Sequence, residues 1–187
     1  MRIAITGGIG SGKSSVLKML KDFGYKVLSC DEVNSRLLID SDYIAKIKAY
    51  FPEVVNNNII DRKKLANIVF SDHTKLELLN SIAHTAIRNI ISNNIDQNQI
   101  NFIEVPLLFE SNMQSDFDKV LLVTASKATR IARVKIRDGR SESEINAIID
   151  NQIKEYDNQK VDYIITNDGD MNNLKKEVER YLCILRK

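Results

Sequence analysis

The sequence feature that most constrains the fold is the glycine-rich stretch GGIGSGKS at residues 7–14, which matches the pattern G-x-x-x-x-G-K-[S/T]. It holds four of the chain's seven glycines. A short β-branched run at residues 2–6 precedes it, and Val16, Leu17 and Leu20 follow on one helical face. A strand, a glycine loop and a helix in this order predict a loop that binds phosphate, because its backbone N–H groups then face an anion.

Each residue type in this loop has an expected role toward a bound nucleotide. The glycines allow positive φ angles and a close approach of the backbone to the phosphates. We expect Lys13 to reach the β- and γ-phosphates of ATP and the Ser14 hydroxyl to bind Mg²⁺. A simple glycine-rich turn is the alternative, and the flanking strand and helix disfavour it. The predicted nucleotide-binding residues of the loop are Gly8, Ile9, Gly10, Ser11, Gly12, Lys13, Ser14 and Ser15.

Further short apolar runs alternate with helical patterns along the rest of the chain. Strand-like runs cover residues 26–31, 119–124 and 161–166, and another begins at residue 100 and ends at Pro106. Alternation of this kind predicts a parallel sheet that helices cover on both faces. The expected fold class is α/β, a three-layer α/β/α P-loop NTPase fold with a five-stranded parallel sheet.

Two helical stretches are longer than a simple crossover between strands. Residues 34–98 separate the second strand from the third, and residues 126–156 separate the fourth from the fifth. We interpret both as insertions in a single domain that spans residues 1–187. The first insertion is expected to bind the phosphate acceptor, and the second to form a helical lid that closes over the phosphates.

The predicted lid carries arginines at spacings of three and four residues, so Arg130, Arg133 and Arg137 share one helical face. Such a stripe is either a solvated surface or a source of positive charge for the transition state, and we expect Arg137 to be catalytic. Gly139 predicts a helix end, and the capping-box spacing that begins at Ser141 predicts a second helix. Mutual repulsion between the arginines predicts an open lid in the absence of nucleotide.

The composition excludes several classes of protein. The chain of 187 residues is 43% hydrophobic and 28% charged, which is typical of one ordered domain. A net charge of +2 gives no reason to expect a nucleic-acid partner. No apolar run approaches the roughly 18 residues that span a membrane, and no signal peptide is evident. Cys30 and Cys183 are interpreted as reduced thiols, so we expect a cytoplasmic protein without a membrane partner.

A phosphate-binding loop alone does not separate a kinase from a GTPase or a motor ATPase. A GTPase would carry N-K-x-D, but the corresponding stretch TNDGD at residues 166–170 lacks the lysine. No glycine in the chain has an aspartate three residues before it, as the second GTPase motif requires. Motor ATPases usually end a strand with Asp-Glu, where this chain has the single acid Glu104. The small size and the two insertions favour a kinase that acts on a small metabolite.

The chain resembles the dephospho-CoA kinase family almost from end to end. The resemblance rests on TGGIGSGKSS (6–15), DRKKLANIVFSDHTKLELLNSIAH (61–84), VPLLFE (105–110), RDG (137–139), Gln152 and VDYIITNDG (161–169). It implies transfer of the γ-phosphate of ATP, with Mg²⁺, to the ribose 3′-hydroxyl of dephospho-CoA, the last step of coenzyme A synthesis. Two alternatives stay open: a kinase for another small metabolite or nucleoside, and a regulator that binds ATP without turnover.

The resemblance also implies roles for residues outside the loop. Asp31 is expected to bind the acceptor hydroxyl and to accept or orient its proton, while His84 and Arg62 bind the acceptor. Glu104 is expected to hold Mg²⁺ through water, and Asn167 to contact adenine. Each has a structural alternative: a helix N-cap for Asp31, a core polar residue for His84, a cap or ion pair for Glu104 and a turn for Asn167.

Three positions depart from the family pattern. The family commonly has Asp-Ala-Asp after the second strand, where this chain has Ser29-Cys30-Asp31. An arginine usually four residues beyond that aspartate is five residues beyond it here, at Arg36. The His-Pro pair of the family is His84-Thr85. These departures concern details of substrate binding rather than the class of reaction.

Overall fold

The computed structural model describes residues 1–152 and 160–186 of the chain. The protein divides into two compact units, which we name the sheet unit (Met1–Ser29 and Asp96–Lys187) and the helical unit (Cys30–Ile95). The helical unit covers residues 30–95, and the predicted first insertion covers residues 34–98. No helix within the described residues is long and apolar enough to cross a membrane.

The sheet unit contains a five-stranded sheet of β1 (Arg2–Thr6), β2 (Lys26–Leu28), β5 (Asn101–Glu104), β6 (Lys119–Thr124) and β7 (Tyr163–Thr166). Their order in the sheet is β2-β5-β1-β6-β7, and every neighbouring pair is parallel. The central strand is completely buried at Ile3, Ala4 and Ile5, as expected when helices cover both faces of a parallel sheet. The predicted five-stranded parallel sheet is therefore confirmed.

Helices α1 (Lys13–Asp22) and α8 (Met171–Leu185) contact each other and pack their apolar faces on this sheet. Phe23 closes α1, and Gly24 follows with a φ of 85°. The shared core combines strand residues with both helices, and its fully buried members include Ile3, Ile5, Val16, Leu20, Phe102, Leu121, Val123, Ile165 and Val178. This core fixes the start of α1, and with it the end of the glycine loop.

Helices α6 (Lys127–Asp138) and α7 (Glu142–Asp150) form a pair with a core of Val134, Ile145 and Ile149. Gly139 closes α6 with a φ of 65°, and Ser141 and Glu144 form the predicted capping box at the start of α7. Both sequence predictions for this helix–turn–helix are confirmed. Residues 153–156 of the predicted lid lie outside the described residues.

The helical unit contains α2 (Cys30–Leu37), α3 (Ser41–Tyr50), α4 (Arg62–Phe70) and the long α5 (His73–Asn94), which packs against the other three. Between α3 and α4 the chain forms a hairpin of β3 (Val55–Asn56) and β4 (Ile59–Ile60). The sequence predicts only helices and loops here. Asn57 and Asn58 have φ values of 50° and 60°, which match a tight hairpin turn between β-branched residues.

The second strand is shorter than predicted. Strand β2 ends at Leu28, so Cys30 and Asp31 begin helix α2 rather than end a strand over residues 26–31. Asp31 and Glu32 place negative charge in the first turn of α2, which stabilises a helix N-terminus.

Candidate active site

The glycine loop has a backbone that only glycine tolerates at several positions. Gly10 and Gly12 have φ values of 76° and 97°, and Gly7 has a φ of 145°. Space is equally restrictive, since a Cβ at Gly7 would collide with the carbonyl oxygen of Val123 and one at Gly12 with the amide of Asn167. The concentration of glycines in the loop follows from both constraints.

The start of helix α1 lacks the side-chain cap that helices α3 to α8 have. Helices α3 to α8 each start with an aspartate or serine whose side chain accepts a backbone N–H. In α1 the N-cap is Gly12, no side chain caps the helix, and the first turn carries no acid. The N–H groups and the positive end of the helix dipole are therefore left for an anion from outside the chain.

An open cleft of about 390 Å³ lies over the loop. Its walls combine residues 8–15 of the loop with Glu104 and Pro106 after β5, and with Arg133 and Arg137 of α6. The structure therefore brings together the predicted nucleotide loop, the predicted Mg²⁺ ligands and the predicted catalytic arginine. Within the described residues, no group of three or more His, Cys, Asp or Glu could hold a metal ion by itself.

Lys13 lies at the start of the cleft. Its Nζ donates to the carbonyl oxygens of Gly7 at 2.6 Å and Gly8 at 3.3 Å. These contacts hold the ammonium group over the first turn of the loop, where its charge faces the space that phosphates would occupy.

Asn167 is buried and supports the loop from behind. Its Nδ2 donates to the carbonyl oxygen of Ser11 at 2.9 Å, and Arg133 Nη1 donates to the carbonyl oxygen of Asn167 at 2.9 Å. The sequence predicts a contact with adenine, whereas in the structure this side chain holds the loop. A second cavity of about 390 Å³ adjoins it, lined by Gly12, Ser15, Arg133, Asn167, Gly169, Asp170 and Met171. The adenine contact itself stays a prediction.

The next residue, Asp168, joins two elements and does not form the turn that the sequence offers as an alternative, since the structure has no turn at residues 167–168 and only a bend at Gly169. Its carboxylate accepts the Ser126 N–H at 2.8 Å, which ties the end of β7 to the start of α6. That backbone hydrogen bond, with hydrogen bonds from the Thr129 and Ser126 hydroxyls, lowers the pKa of Asp168.

The sequence predicts an open lid whose arginines repel one another, but in the structure two arginines of α6 form hydrogen bonds to residues outside the helix. Arg130 Nε donates to the carbonyl oxygen of Ile9 at 2.8 Å, and Arg133 is bound to Asn167. The repulsion between the arginines is overcome because Arg130 and Arg133 each donate a hydrogen bond to a carbonyl oxygen. Arg137 is more exposed and pairs with its neighbour Asp138 through two hydrogen bonds of 2.6 and 2.8 Å. That pairing raises the pKa of Arg137 and lowers the pKa of Asp138.

The remaining candidate residues belong to the helical unit. Asp31 is exposed in the first turn of α2, and Arg62 is exposed at the first position of α4. Burial raises the pKa of Tyr43, and the nearby charge of Arg62 opposes that shift. His84 is half-buried in the middle of α5. The structure places Asp31 inside the helix rather than at an N-cap, which removes that alternative for this residue.

Sequence reasoning missed one set of contacts near the loop. Gln152 accepts hydrogen bonds from the Ile9 N–H and from Arg130, each at 3.0 Å. Periodicity gives no signal for this contact, because 143 positions separate Ile9 from Gln152. Its only trace in the sequence is the place of Gln152 in the family pattern.

Comparison with known proteins identifies close relatives of this chain. The family model of dephospho-CoA kinase matches residues 1–173. The chain is 37% identical to the dephospho-CoA kinase of Helicobacter pylori, over 98% of this chain and 96% of the relative. It is 33% identical to that of Thermus thermophilus, over 98% and 91%.

Solved structures give the same result. A Thermus thermophilus protein superposes with a TM-score of 0.83 at 33% identity, over 99% of this chain and 97% of that one. Dephospho-CoA kinase from Campylobacter jejuni superposes with a TM-score of 0.72 at 27% identity, over 98% and 96%. A shikimate kinase from Bacteroides thetaiotaomicron, at 14% identity and a TM-score of 0.57, shares the fold alone.

Proposed function

Because the chain belongs to the dephospho-CoA kinase family, we propose that it transfers the γ-phosphate of ATP to the ribose 3′-hydroxyl of dephospho-CoA. The product is coenzyme A, and the reaction is the last step of its synthesis. One observation carries the proposal beyond family membership. The loop with Lys13, the acid Glu104 and the basic Arg137 all line one cleft, which supplies groups suited to binding phosphate, holding a metal ion and neutralising charge in phosphoryl transfer.

The loop is the proposed site of the ATP phosphates. The uncapped start of α1 offers backbone N–H groups, and Lys13 adds a full positive charge at the same place. Neutralising the phosphates in this way favours the transition state, in which charge lies on the oxygens of the transferred group.

The residues of the cleft fit a magnesium ion. The Ser14 hydroxyl and the Glu104 carboxylate line the same space, and a small number of protein oxygens suits an ion that keeps several of its waters. We propose that Ser14 holds Mg²⁺ directly and Glu104 through water. The bound ion would supply additional positive charge to the β- and γ-phosphates.

The second cavity is the proposed site of adenine. Arg133 and Asn167 form part of its wall, and a planar guanidinium group can stack on an aromatic ring. The Asn167 amide has two N–H donors, of which one binds Ser11, so a second polar contact with the base is chemically available.

The helical unit is the proposed acceptor-binding region, as the sequence interpretation of residues 34–98 suggests. Asp31 is proposed to accept the proton of the 3′-hydroxyl. The hydroxyl oxygen bonds to the γ-phosphorus as the bond between that phosphorus and the β-phosphate oxygen breaks. Arg62 and His84 are proposed to bind the acceptor, whose phosphate and ring groups offer partners to charged and hydrogen-bonding side chains.

We propose that residues 126–156 act as a lid whose Arg137 exchanges Asp138 for oxygens of the transferred phosphate. Such a partner would favour the conformation that binds it better. Amide hydrogen exchange across residues 126–145 is then expected to slow when a non-hydrolysable ATP analogue and the acceptor are both bound. Unchanged exchange would contradict the lid.

The decisive experiment is an acceptor panel with purified protein, Mg²⁺ and ATP. ADP release should depend on dephospho-CoA, and nucleosides and small hydroxy acids should support far less. Mass spectrometry should show one added phosphoryl group, and phosphorus NMR should place it on the 3′-oxygen. A stronger response to another acceptor would favour a different metabolite kinase. ATP binding without any acceptor-dependent turnover would favour a regulator.

A further inference from the structure

The third residue of the loop, Ile9, is held by three kinds of contact. Its N–H donates to Gln152 Oε1 at 3.0 Å, and its carbonyl oxygen accepts from Arg130 Nε at 2.8 Å. Its side chain packs against the apolar core of the α6–α7 pair, formed by Val134, Ile145 and Ile149. Both backbone groups and the side chain of Ile9 therefore contact α6, α7 or Gln152, which follows α7.

These contacts close into a ring. Gln152 Oε1 accepts from Arg130 Nη2 at 3.0 Å as well as from Ile9, and Arg130 returns to the Ile9 carbonyl oxygen. We call this arrangement the Ile9–Arg130–Gln152 ring. One carboxamide oxygen thus fixes the plane of the Arg130 guanidinium and the direction of the loop backbone together.

The Ile9–Arg130–Gln152 ring leaves little space beside Gly8 and Gly10. A Cβ at Gly8 would collide with the guanidinium group of Arg130 and stand 2.9 Å from Gln152 Oε1. A Cβ at Gly10 would stand 2.7 Å from the carbonyl oxygen of Arg130 and 2.9 Å from Val134. A side chain at Gly8 would therefore displace the ends of Arg130 and Gln152, whereas Gly10 is constrained by the Arg130 backbone and by its own positive φ.

We infer that Gln152 is a positioning residue that sets the conformation of the loop for the phosphates of ATP. The inference rests on the proposed function only in that the loop binds ATP. A neutral amide suits this position because its oxygen accepts from both the Ile9 N–H and Arg130 without adding charge beside the loop. A carboxylate would make similar hydrogen bonds but would add negative charge beside a site for polyanions.

The test is the affinity for a non-hydrolysable ATP analogue with Mg²⁺, measured by calorimetry without an acceptor. Gln152→Met keeps the size and removes the acceptor oxygen, and it should weaken binding about fivefold at low and high salt. Gln152→Glu keeps the acceptor oxygens, and its deficit relative to wild type should shrink as salt screens the added charge. Asn151→Met, an exposed change at the end of α7, is the matched control and should bind like wild type.

Several outcomes would overturn the inference. Unchanged affinity in Gln152→Met, with or without a lower melting temperature, would reduce Gln152 to a structural contact. Tighter binding in that variant would mean that the ring competes with the nucleotide. A Gln152→Glu deficit that ignores salt would contradict the charge argument. Failure of the wild-type protein to bind the analogue would instead count against the proposed function, so the two failures are distinguishable.

Discussion

The sheet unit and the helical unit hold their candidate residues in different ways. In the sheet unit, Asn167 is buried, and Arg130 and Arg133 are fixed by hydrogen bonds to backbone carbonyl oxygens. In the helical unit, Asp31 and Arg62 are exposed at helix N-termini. The difference indicates that hydrogen bonds to the backbone arrange the proposed phosphate-donor site in advance, whereas the proposed acceptor residues have no such support from burial.

The departures from the family pattern follow the same division. Arg36 and Thr85 lie in the helical unit, and Ser29 lies at its border, while GGIGSGKS keeps the pattern throughout. The proposed phosphate-binding loop leaves little space for substitution, because a Cβ at Gly7, Gly10 or Gly12 would collide with neighbouring atoms. Exposed side chains such as Arg36 and Thr85 can be replaced or shifted at a lower cost in stability.

The largest effect on turnover is expected from removing the lysine of the proposed phosphate-binding loop. Lys13→Ala should lower kcat by about 100- to 1000-fold, because a phosphate charge is left uncompensated in the transition state. Steady-state kinetics of ADP release measure it. Lys18→Ala removes an exposed lysine from the same helix and should behave like wild type. Similar kinetics in the two variants would remove Lys13 from the proposed site.

The next effect tests the acceptor side. Asp31→Asn should lower kcat by about 100-fold because the proton acceptor is lost, while the KM for ATP stays within about twofold. The melting temperature should change little, since Asp31 is exposed. Glu32→Gln, in the same helical turn, controls for loss of charge at the start of α2. Near-normal turnover in Asp31→Asn would assign this residue to helix stabilisation alone.

The fold could be predicted where local patterns decide it. The β-branched runs predicted the parallel sheet, and Gly139 with Ser141 predicted the α6–α7 turn, because these signals act within a few residues. The β3–β4 hairpin was missed because its strands are two residues long and an asparagine turn resembles a loop. The second strand was predicted too long because Cys30 and Asp31 fit either a strand end or a helix start.

The candidate site could be predicted where its residues belong to a recognisable sequence motif. The loop, Glu104 and Arg137 meet in one cleft as the motifs suggest. Two supporting contacts could not be predicted: Arg130 binds the carbonyl oxygen of Ile9, 121 positions away, and Asn167 binds that of Ser11, 156 positions away. No spacing rule relates such atoms, and the topology of the sheet alone brings them together.

A smaller effect is expected at the lid. Arg137→Ala should lower kcat by about tenfold and change the acceptor KM less, if its contact strengthens mainly in the transition state. Arg140→Ala is the control, because Arg140 also lies close to Asp138 but does not line the cleft. Wild-type kinetics in both variants, and in Arg130→Ala and Arg133→Ala, would mean that the stripe has no part in turnover.

Asn167→Ala tests whether the donor site is arranged by its supports. The Ser11 carbonyl oxygen and Arg133 would both lose a partner, so the KM for ATP should rise about fivefold. The free energy of unfolding should fall by about 1–2 kcal/mol, measured by urea denaturation. Asn172→Ala, exposed at the start of α8, should change neither quantity. A stability loss without any change in KM would separate the support from nucleotide binding.

The smallest effect is expected on the pKa of Glu144 at the start of α7 in the sheet unit. Hydrogen bonds from the hydroxyl and the N–H of Ser141 lower the pKa of Glu144. Because the folded value is lowered, this stabilisation is present above the ordinary glutamate pKa and is lost as pH falls through the lowered value. Ser141→Ala removes the hydroxyl donor, so the pKa of Glu144 should move back toward its ordinary value in a carbon-detected NMR titration. Ser126→Ala, which removes the cap of α6, should leave it unchanged. An unshifted pKa in Ser141→Ala would show that the capping box is not what holds this helix start.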